Sequence, residues 1–136
     1  MKKGAGADGA TRHLETLFVA ELFDCEKNFA KAEPATALLK RAVEQAGLTP
    51  VKNVTGVKFD PGVTAIVILQ QSKAVLETWP ELGYATVFLH TCGDPHAGKQ
   101  AFDDLCAWFA PKSVRTHVIP MGPVVETKER MTNGAD

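Results

Sequence analysis

The segment Val63–Leu69 reads VTAIVIL, a run of small and branched apolar residues interrupted only by one threonine. Seven residues are too few for a typical buried helix, and β-branched side chains favour extended structure. The run therefore predicts a central strand that is buried on much of both faces. Such a strand needs neighbouring strands and a covering layer, which the rest of the chain must supply.

Other segments supply strands and two helices. Strands are predicted at Thr16–Phe23, Val51–Phe59, Tyr84–Thr91 and Val114–Ile119, and helices at Ala35–Gln45 and Lys99–Phe109. Each helix has apolar residues at helical spacing along one side, and Gly47 and Pro111 follow the two helices as stop signals. With one further strand after Leu69, the order β-α-β-β-(β)-β-α-β predicts an α+β fold. We expect a mainly antiparallel sheet with helices packed on one face, as a two-layer sandwich.

The chain has 136 residues, which suits one domain, predicted at 14–121 between flexible tails at 1–13 and 122–136. The net charge of −1 provides no basic field that would attract nucleic acid. No apolar run has the length that crosses a bilayer, so no membrane partner is expected. Three scattered cysteines do not make a disulfide framework, and a reducing cytoplasm is the expected location.

A group of short motifs follows the apolar run. Gln70-Gln71-Ser72-Lys73 comes first, then Thr78-Trp79-Pro80-Glu81 and Gly83-Tyr84-Ala85, and further on Thr91-Cys92-Gly93. A Trp-Pro-Glu sequence in a short connection between core strands adds little to packing. Loops that carry such residues on a rigid sheet are commonly functional.

These motifs resemble those of the bacterial class of S-adenosylmethionine decarboxylases. That family has a serine followed by (Thr/Ser)-(Trp/Phe)-Pro-Glu, then Gly-Tyr-Ala, then Thr-Cys-Gly, and the chain matches this series without a gap. Upstream, Val19-Ala20-Glu21 with Cys25 resembles the family's first strand. Phe59, Pro61, Gly62 and Val63 resemble a turn of the family, here one residue shorter. The resemblance covers about residues 14–120 and is far more specific than one short motif.

The resemblance implies a pyruvoyl-dependent decarboxylase that makes its own cofactor. The Ser72 hydroxyl would attack the carbonyl of Gln71, the chain would break between these residues, and residue 72 would become a pyruvoyl group. Its ketone would form a Schiff base with the substrate amine and accept electrons as CO₂ leaves. Thr64 stands at the place of a serine that assists processing. Cys92 would donate a proton to the substrate Cα.

The resemblance also implies a substrate, S-adenosylmethionine, whose decarboxylation serves spermidine biosynthesis. Glu81 matches a glutamate that binds the ribose hydroxyls, and Phe59 matches an aromatic residue that stacks on adenine. Trp79, Glu21 and Leu69 are expected as further substrate contacts. Family members of this size pair, so we expect a homodimer or a dimer of dimers in which residues of two chains complete each site.

Two positions differ from the family at the processing site. The histidine five residues after the serine is Glu77 here, and the glutamate before the serine is Gln71. Glutamate is a weaker base than histidine. Three interpretations follow: Glu77 replaces the histidine as a catalytic base, the site has changed to ornithine or arginine, or the chain is an unprocessed, non-catalytic homologue that binds a ligand or regulates a partner.

A metal site is not expected. His90, Cys92 and His96 are close in sequence, but their spacing matches no standard zinc site and no fourth ligand is evident.

Overall fold

A computed structural model describes residues 11–51 and 55–126 of the chain. Its elements, in chain order, are β1 (Thr11–Phe23), α1 (Ala32–Gln45), β2 (Thr55–Phe59), β3 (Gly62–Leu69), β4 (Ser72–Trp79), β5 (Tyr84–Cys92), α2 (His96–Trp108) and β6 (Ser113–Glu126). The six strands form one sheet in the order β2-β3-β4-β5-β1-β6, and every neighbouring pair is antiparallel. The predicted α+β fold with a mainly antiparallel sheet is therefore confirmed.

The two helices pack against one face of the sheet, which we call the helical face. Alternate residues of the strands are buried there, as in the series Val63, Ala65, Val67 and Leu69 of β3. They meet apolar side chains of the helices such as Leu39 and Leu105, both fully buried. The other face of the sheet has no helix on it in the described part of the chain, and we call it the open face.

The prediction that VTAIVIL is buried on much of both faces is wrong for the single chain. Thr64, Ile66 and Ile68 alternate with the buried residues and lie on the open face, where Ile66 is 38% and Ile68 is 49% exposed. Since both helices lie on the opposite face, one side of this apolar strand is left to the solvent.

Strands β1 and β6 extend beyond the strands predicted from sequence. They pair from Phe23↔Ser113 to Thr11↔Glu126, with a register shift between His13 and Glu15. Residues 11–13 and 122–126, which the sequence placed in tails, are thus part of the sheet. The remaining predicted tail residues, 1–10 and 127–136, lie outside the described residues, as do 52–54 of the strand predicted at Val51–Phe59.

The strand β4 is firmly fixed at its far end by Thr78. Its hydroxyl donates a hydrogen bond to the carbonyl of Phe29 at 2.8 Å and accepts one from the N–H of Val63 at 3.0 Å. The side chain is fully buried. Gly62 also lies against this point, because a Cβ there would stand 2.0 Å from the Thr78 carbonyl oxygen. A residue of the sequence motif therefore has a structural role.

Candidate active site

Ser72 lies at the start of β4, directly after a two-residue turn. Leu69 and Ser72 are paired across the β3–β4 hairpin, and Gln70 and Gln71 form the turn between them. The Ser72 side chain is directed to the helical face and is only 7% exposed. Its hydroxyl donates a hydrogen bond to the Gln70 carbonyl at 3.3 Å. The bond between Gln71 and Ser72 is thus held at the end of a tight hairpin.

Gln71 has a φ angle of 64°, in the left-handed region. An L-residue with a side chain pays a steric penalty there, which is why glycine is preferred at such turn positions. The cost is of the order of 1 kcal/mol. The peptide bond that precedes Ser72 therefore follows a strained residue.

Cys92 ends β5 at the same end of the sheet as Ser72, but on the other face. The β4–β5 register pairs Lys73 with His90, so Ser72 lies beside Thr91, the residue before Cys92. Because side chains alternate along a strand, Cys92 is on the open face together with its β1 partner Glu15. We call the group of Ser72, Lys73, His90, Cys92 and Glu15 the serine end.

Three side chains of the serine end form a hydrogen-bonded row on the open face. His90 Nε2 is 2.6 Å from Glu15 Oε1, and His90 Nδ1 is 3.3 Å from Lys73 Nζ. The His90 side chain is 20% and the Glu15 side chain 29% exposed, so the pair is partly shielded from water. The sequence did not indicate this row, because Glu15 and His90 are 75 positions apart.

Glu77 lies at the opposite end of β4. It is five positions along the strand from Ser72, which is roughly 17 Å along the strand axis. Glu77 is on the open face, between its register partners Thr64 on β3 and Thr86 on β5. Its carboxylate accepts a hydrogen bond from the Thr86 hydroxyl at 3.2 Å. Within one chain, Glu77 and Thr64 are therefore close to each other and remote from Ser72.

Glu21 lies on β1 opposite Thr86, on the same face as Glu77, and forms an ion pair with an arginine. Arg115 Nε is 2.7 Å from Glu21 Oε2, and Nη2 is 2.9 Å from Oε1, a two-point ion pair. This pairing lowers the pKa of Glu21 below its usual range, and it raises the pKa of Arg115. His117 Nε2 lies 3.9 Å from the same carboxylate. Any ligand of Glu21 would have to share it with Arg115.

Aromatic rings surround the same end of β4. The ring centroids of Phe59 and Trp79 are 6.4 Å apart, those of Trp79 and Tyr84 5.3 Å, and those of Tyr84 and Phe23 5.3 Å. Burial is the main cause that raises the pKa of Tyr84. We call the group of Thr64, Glu77, Glu21 and these rings the glutamate end.

Glu81 and Leu69 differ from the other predicted substrate contacts. Glu81 is exposed, in the short 3₁₀ turn Pro80–Leu82 that follows Trp79. The Leu69 side chain is 2% exposed within the core on the helical face, so only its backbone is available to a ligand. The structure thus places the predicted residues in two separate groups, with Ser72 and Cys92 in one and Thr64, Glu77, Trp79, Phe59 and Glu21 in the other.

Neither the other two cysteines nor any group of possible metal ligands forms a second candidate site in the described residues. Burial raises the pKa of Cys106 to about 12, and it also raises the pKa of Cys25. Over residues 11–51 and 55–126, no three His, Cys, Asp or Glu side chains are grouped so that they could hold a metal ion. Neither helix described has the length and apolar character of a membrane span.

The fold and the site define a two-layer α+β protein with a buried serine at a strained internal hairpin and a cysteine at the same end of the sheet. Comparison with known proteins agrees. The family model described as S-adenosylmethionine decarboxylase matches residues 16–122. The chain belongs to the S-adenosylmethionine decarboxylase family.

Curated relatives and a solved structure cover most of the chain. The S-adenosylmethionine decarboxylase proenzyme of Archaeoglobus fulgidus is 36% identical over 113 residues, which span 82% of this chain and 96% of the relative. The proenzyme of Fervidobacterium nodosum is 39% identical over 110 residues, 79% of this chain and 75% of the relative. The crystal structure of the adenosylmethionine decarboxylase from Aquifex aeolicus matches with a TM-score of 0.75 and 33% identity, covering 85% of this chain and 96% of that one.

Proposed function

We propose that the chain is a pyruvoyl-dependent S-adenosylmethionine decarboxylase that cuts itself between Gln71 and Ser72. The observation that carries this proposal is the hairpin, which holds a buried serine directly after a left-handed, strained Gln71 in a chain of this family. Its product would serve spermidine synthesis, and its location would be the cytoplasm.

Self-processing converts Ser72 with balanced chemistry. The hydroxyl oxygen attacks the Gln71 carbonyl carbon, and the C–N bond to Ser72 breaks, which leaves an ester. Removal of the Ser72 Cα proton then breaks the bond between Cβ and the ester oxygen and frees the Gln71 carboxylate. Water replaces the former backbone nitrogen, which leaves as ammonia. The residues present fit this conversion, since Ser72 directly follows the Gln71 carbonyl in a tight hairpin and its hydroxyl is held in that turn by a hydrogen bond to the Gln70 carbonyl.

A pyruvoyl group supplies a carbonyl that withdraws electrons from a bound amino acid. The chain's own residues orient the substrate and manage its protons. Cys92, beside this terminus on the next strand, donates the proton that the substrate Cα requires after CO₂ has left. The faces of Phe59, Trp79 and Tyr84 attract the sulfonium cation and stack on the adenine ring. Glu81 accepts hydrogen bonds from the ribose.

The two separate groups of site residues support a homodimer as the active form. The open face carries exposed apolar residues, including Ile66 and Ile68, that a second copy would cover. A two-fold axis between two open faces, perpendicular to the strands, lays β4 of one copy over β4 of the other. The serine end of each copy then faces the glutamate end of its partner. Glu77 and Thr64 then lie against the partner's serine end, and in this proposal they act from the open face on the backbone at Ser72, whose side chain is directed to the helical face.

The first experiment is the intact mass of the purified protein. We expect two fragments that divide between Gln71 and Ser72, and an α fragment whose terminal carbonyl reacts with borohydride. Ser72→Ala is expected to give one uncut chain, and Ser113→Ala, at an exposed serine, to cut normally. A wild-type chain that stays whole on long incubation would favour the non-catalytic homologue.

Substrate choice is tested with the processed protein. CO₂ release is measured from S-adenosylmethionine, ornithine and arginine in parallel, and we expect it from S-adenosylmethionine. Release from ornithine or arginine alone would favour the second interpretation, in which the site has changed to one of these amino acids.

A further inference from the structure

Decarboxylation consumes one proton from solvent in each turnover. The carboxylate leaves as CO₂, and a C–H bond replaces the C–C bond at the substrate Cα. If Cys92 donates this proton, it is left as a thiolate and must be reprotonated before the next cycle. A proton path from water to Cys92 is therefore required by the proposed function, on which this inference rests.

We infer that Lys73, His90 and Glu15 form this path and return a proton to Cys92 after each turnover. The three side chains lie in one hydrogen-bonded row, 3.3 Å from Lys73 Nζ to His90 Nδ1 and 2.6 Å from His90 Nε2 to Glu15 Oε1. Glu15 is the register partner of Cys92 on the open face. Cβ atoms of directly opposed residues are about 5 Å apart, within reach of a glutamate side chain.

The contacts determine the direction of each hydrogen bond. An ammonium group only donates, so Nδ1 of His90 accepts from Lys73. An ionised carboxylate only accepts, so Nε2 carries the ring proton and donates it to Glu15. The histidine is thus a neutral imidazole that can receive a proton at one nitrogen and release one at the other.

The relay is balanced step by step. The Nε2 proton of His90 moves to the ionised carboxylate of Glu15, and Glu15 passes a proton on to the Cys92 thiolate. In the same step the ammonium of Lys73 gives a proton to Nδ1, and Lys73, which lies at the end of β4 and is exposed in the single chain, takes one from water that reaches this end of the sheet. Exchange of the ring proton with water then restores the Nε2–H tautomer of His90. His90 and Glu15 act through Cys92, which is the group that meets the substrate in the proposed function. They are positioning residues for the proton.

Two variants test the relay in the processed enzyme. His90→Ala and Glu15→Gln are each expected to be cut normally into two fragments and to lower kcat roughly tenfold or more, with little change in KM. Added imidazole is expected to restore part of the lost rate to His90→Ala only. His96→Gln, at an exposed histidine of α2, serves as the matched control and should keep its rate. Cut variants with wild-type kcat would overturn the relay.

Two further measurements need no pyruvoyl group and use the uncut Ser72→Ala chain. Alkylation of Cys92 by iodoacetamide, followed peptide by peptide, is expected to be severalfold faster in Glu15→Gln, because a nearby negative charge disfavours the thiolate. Nitrogen-15 NMR of the Ser72→Ala chain, with Lys73, His90 and Glu15 unchanged, is expected to show His90 as the Nε2–H tautomer. An unchanged alkylation rate in a Glu15→Gln chain that keeps its fold would contradict the relay. The Nδ1–H tautomer would also contradict it, and this measurement needs no relay variant.

These results separate the two proposals. A wild-type chain that is never cut refutes the proposed function. The alkylation and NMR results then still show whether Lys73, His90 and Glu15 form the proposed hydrogen-bonded path to Cys92. A chain that is cut and releases CO₂, with His90→Ala as fast as wild type, refutes only the relay.

Discussion

Ser72 and Glu77 lie on the same strand, yet their side chains project from opposite faces of the sheet and stand at its two ends. The separation of roughly 17 Å along β4 is far beyond hydrogen-bond reach. One chain therefore cannot use its own Glu77 on its own Ser72 in this conformation. A second copy, related by the two-fold axis described above, supplies the missing carboxylate in our proposal.

Subunit complementation tests this arrangement. Glu77→Gln alone is expected to be cut slowly, because the amide is not a base. Co-expressed with an uncuttable Ser72→Ala chain, the Glu77→Gln chain is expected to regain cutting, since its partner brings an intact Glu77. Differently tagged chains and intact mass identify which chain is cut.

The control for complementation is the double variant Ser72→Ala/Glu77→Gln as the partner, which should rescue nothing. Equal cutting of the Glu77→Gln chain with either partner would mean that Glu77 does not act across the dimer. A purified protein that is cut but monomeric in sedimentation would contradict the dimer itself.

Strain at Gln71 predicts an effect on the rate of cutting. Glycine adopts a φ of 64° without steric cost, so Gln71→Gly relaxes the uncut hairpin by about 1 kcal/mol and is expected to slow cutting several-fold. The time course of fragment appearance on gels or by mass measures this. Gln70→Gly is the matched control, because Gln70 is the neighbouring turn residue and has no positive φ. Equal slowing by both variants would assign the effect to flexibility of the turn.

Replacing Thr78 is expected to lower the free energy of unfolding, because this residue has a structural role and no catalytic one. Thr78→Val removes a buried hydroxyl and leaves the Phe29 carbonyl and the Val63 N–H without their partner, at a cost of about 2 kcal/mol. Urea unfolding of the Ser72→Ala chain measures the free energy without interference from cutting. Thr116→Val, at an exposed position of β6, should change it little. A neutral Thr78→Val would show that these two groups find other partners.

The Glu21–Arg115 pair predicts a dependence on pH and salt. Since Arg115 lowers the pKa of Glu21, the stabilisation is complete above the ordinary carboxyl pKa and is lost as pH falls through the lowered value. Arg115→Ala should therefore melt below the parent chain at neutral pH, and the gap should narrow in acid and in high salt. Lys112→Ala, an exposed cation nearby in sequence, provides the comparison. A gap that is constant with pH would refute the pairing in solution.

Local patterns in the sequence predicted most of the elements. Apolar residues at helical spacing gave both helices to within three residues at each end, and the continuous apolar run Val63–Leu69 gave β3 except for its first residue. These features depend on neighbours in the chain, which is why sequence alone was enough.

The relationships between distant residues were not predictable in the same way. The pairing of β1 with β5 and β6 joins positions up to 115 apart, and it decides that Glu15 meets His90 and that Glu21 meets Arg115. The full length of β4 was also missed, because Trp-Pro-Glu was interpreted as a loop, although Trp79 closes the strand. A further strand after Leu69 was predicted without bounds, so the distance between Ser72 and Glu77 could not be derived from the sequence.

The strand order has a consequence for what remains after cutting. The fragment that ends at Gln71 contains β1, β2 and β3, and the other fragment contains β4, β5 and β6. In the sheet, β1 is inserted between β5 and β6, while β3 is joined to β4 by a full ladder. The strands of the two fragments are therefore interleaved in one sheet, and the fragments separate only by unfolding. Loss of the peptide bond therefore leaves one cooperative body whose new chain terminus is fixed in place by the neighbouring strands.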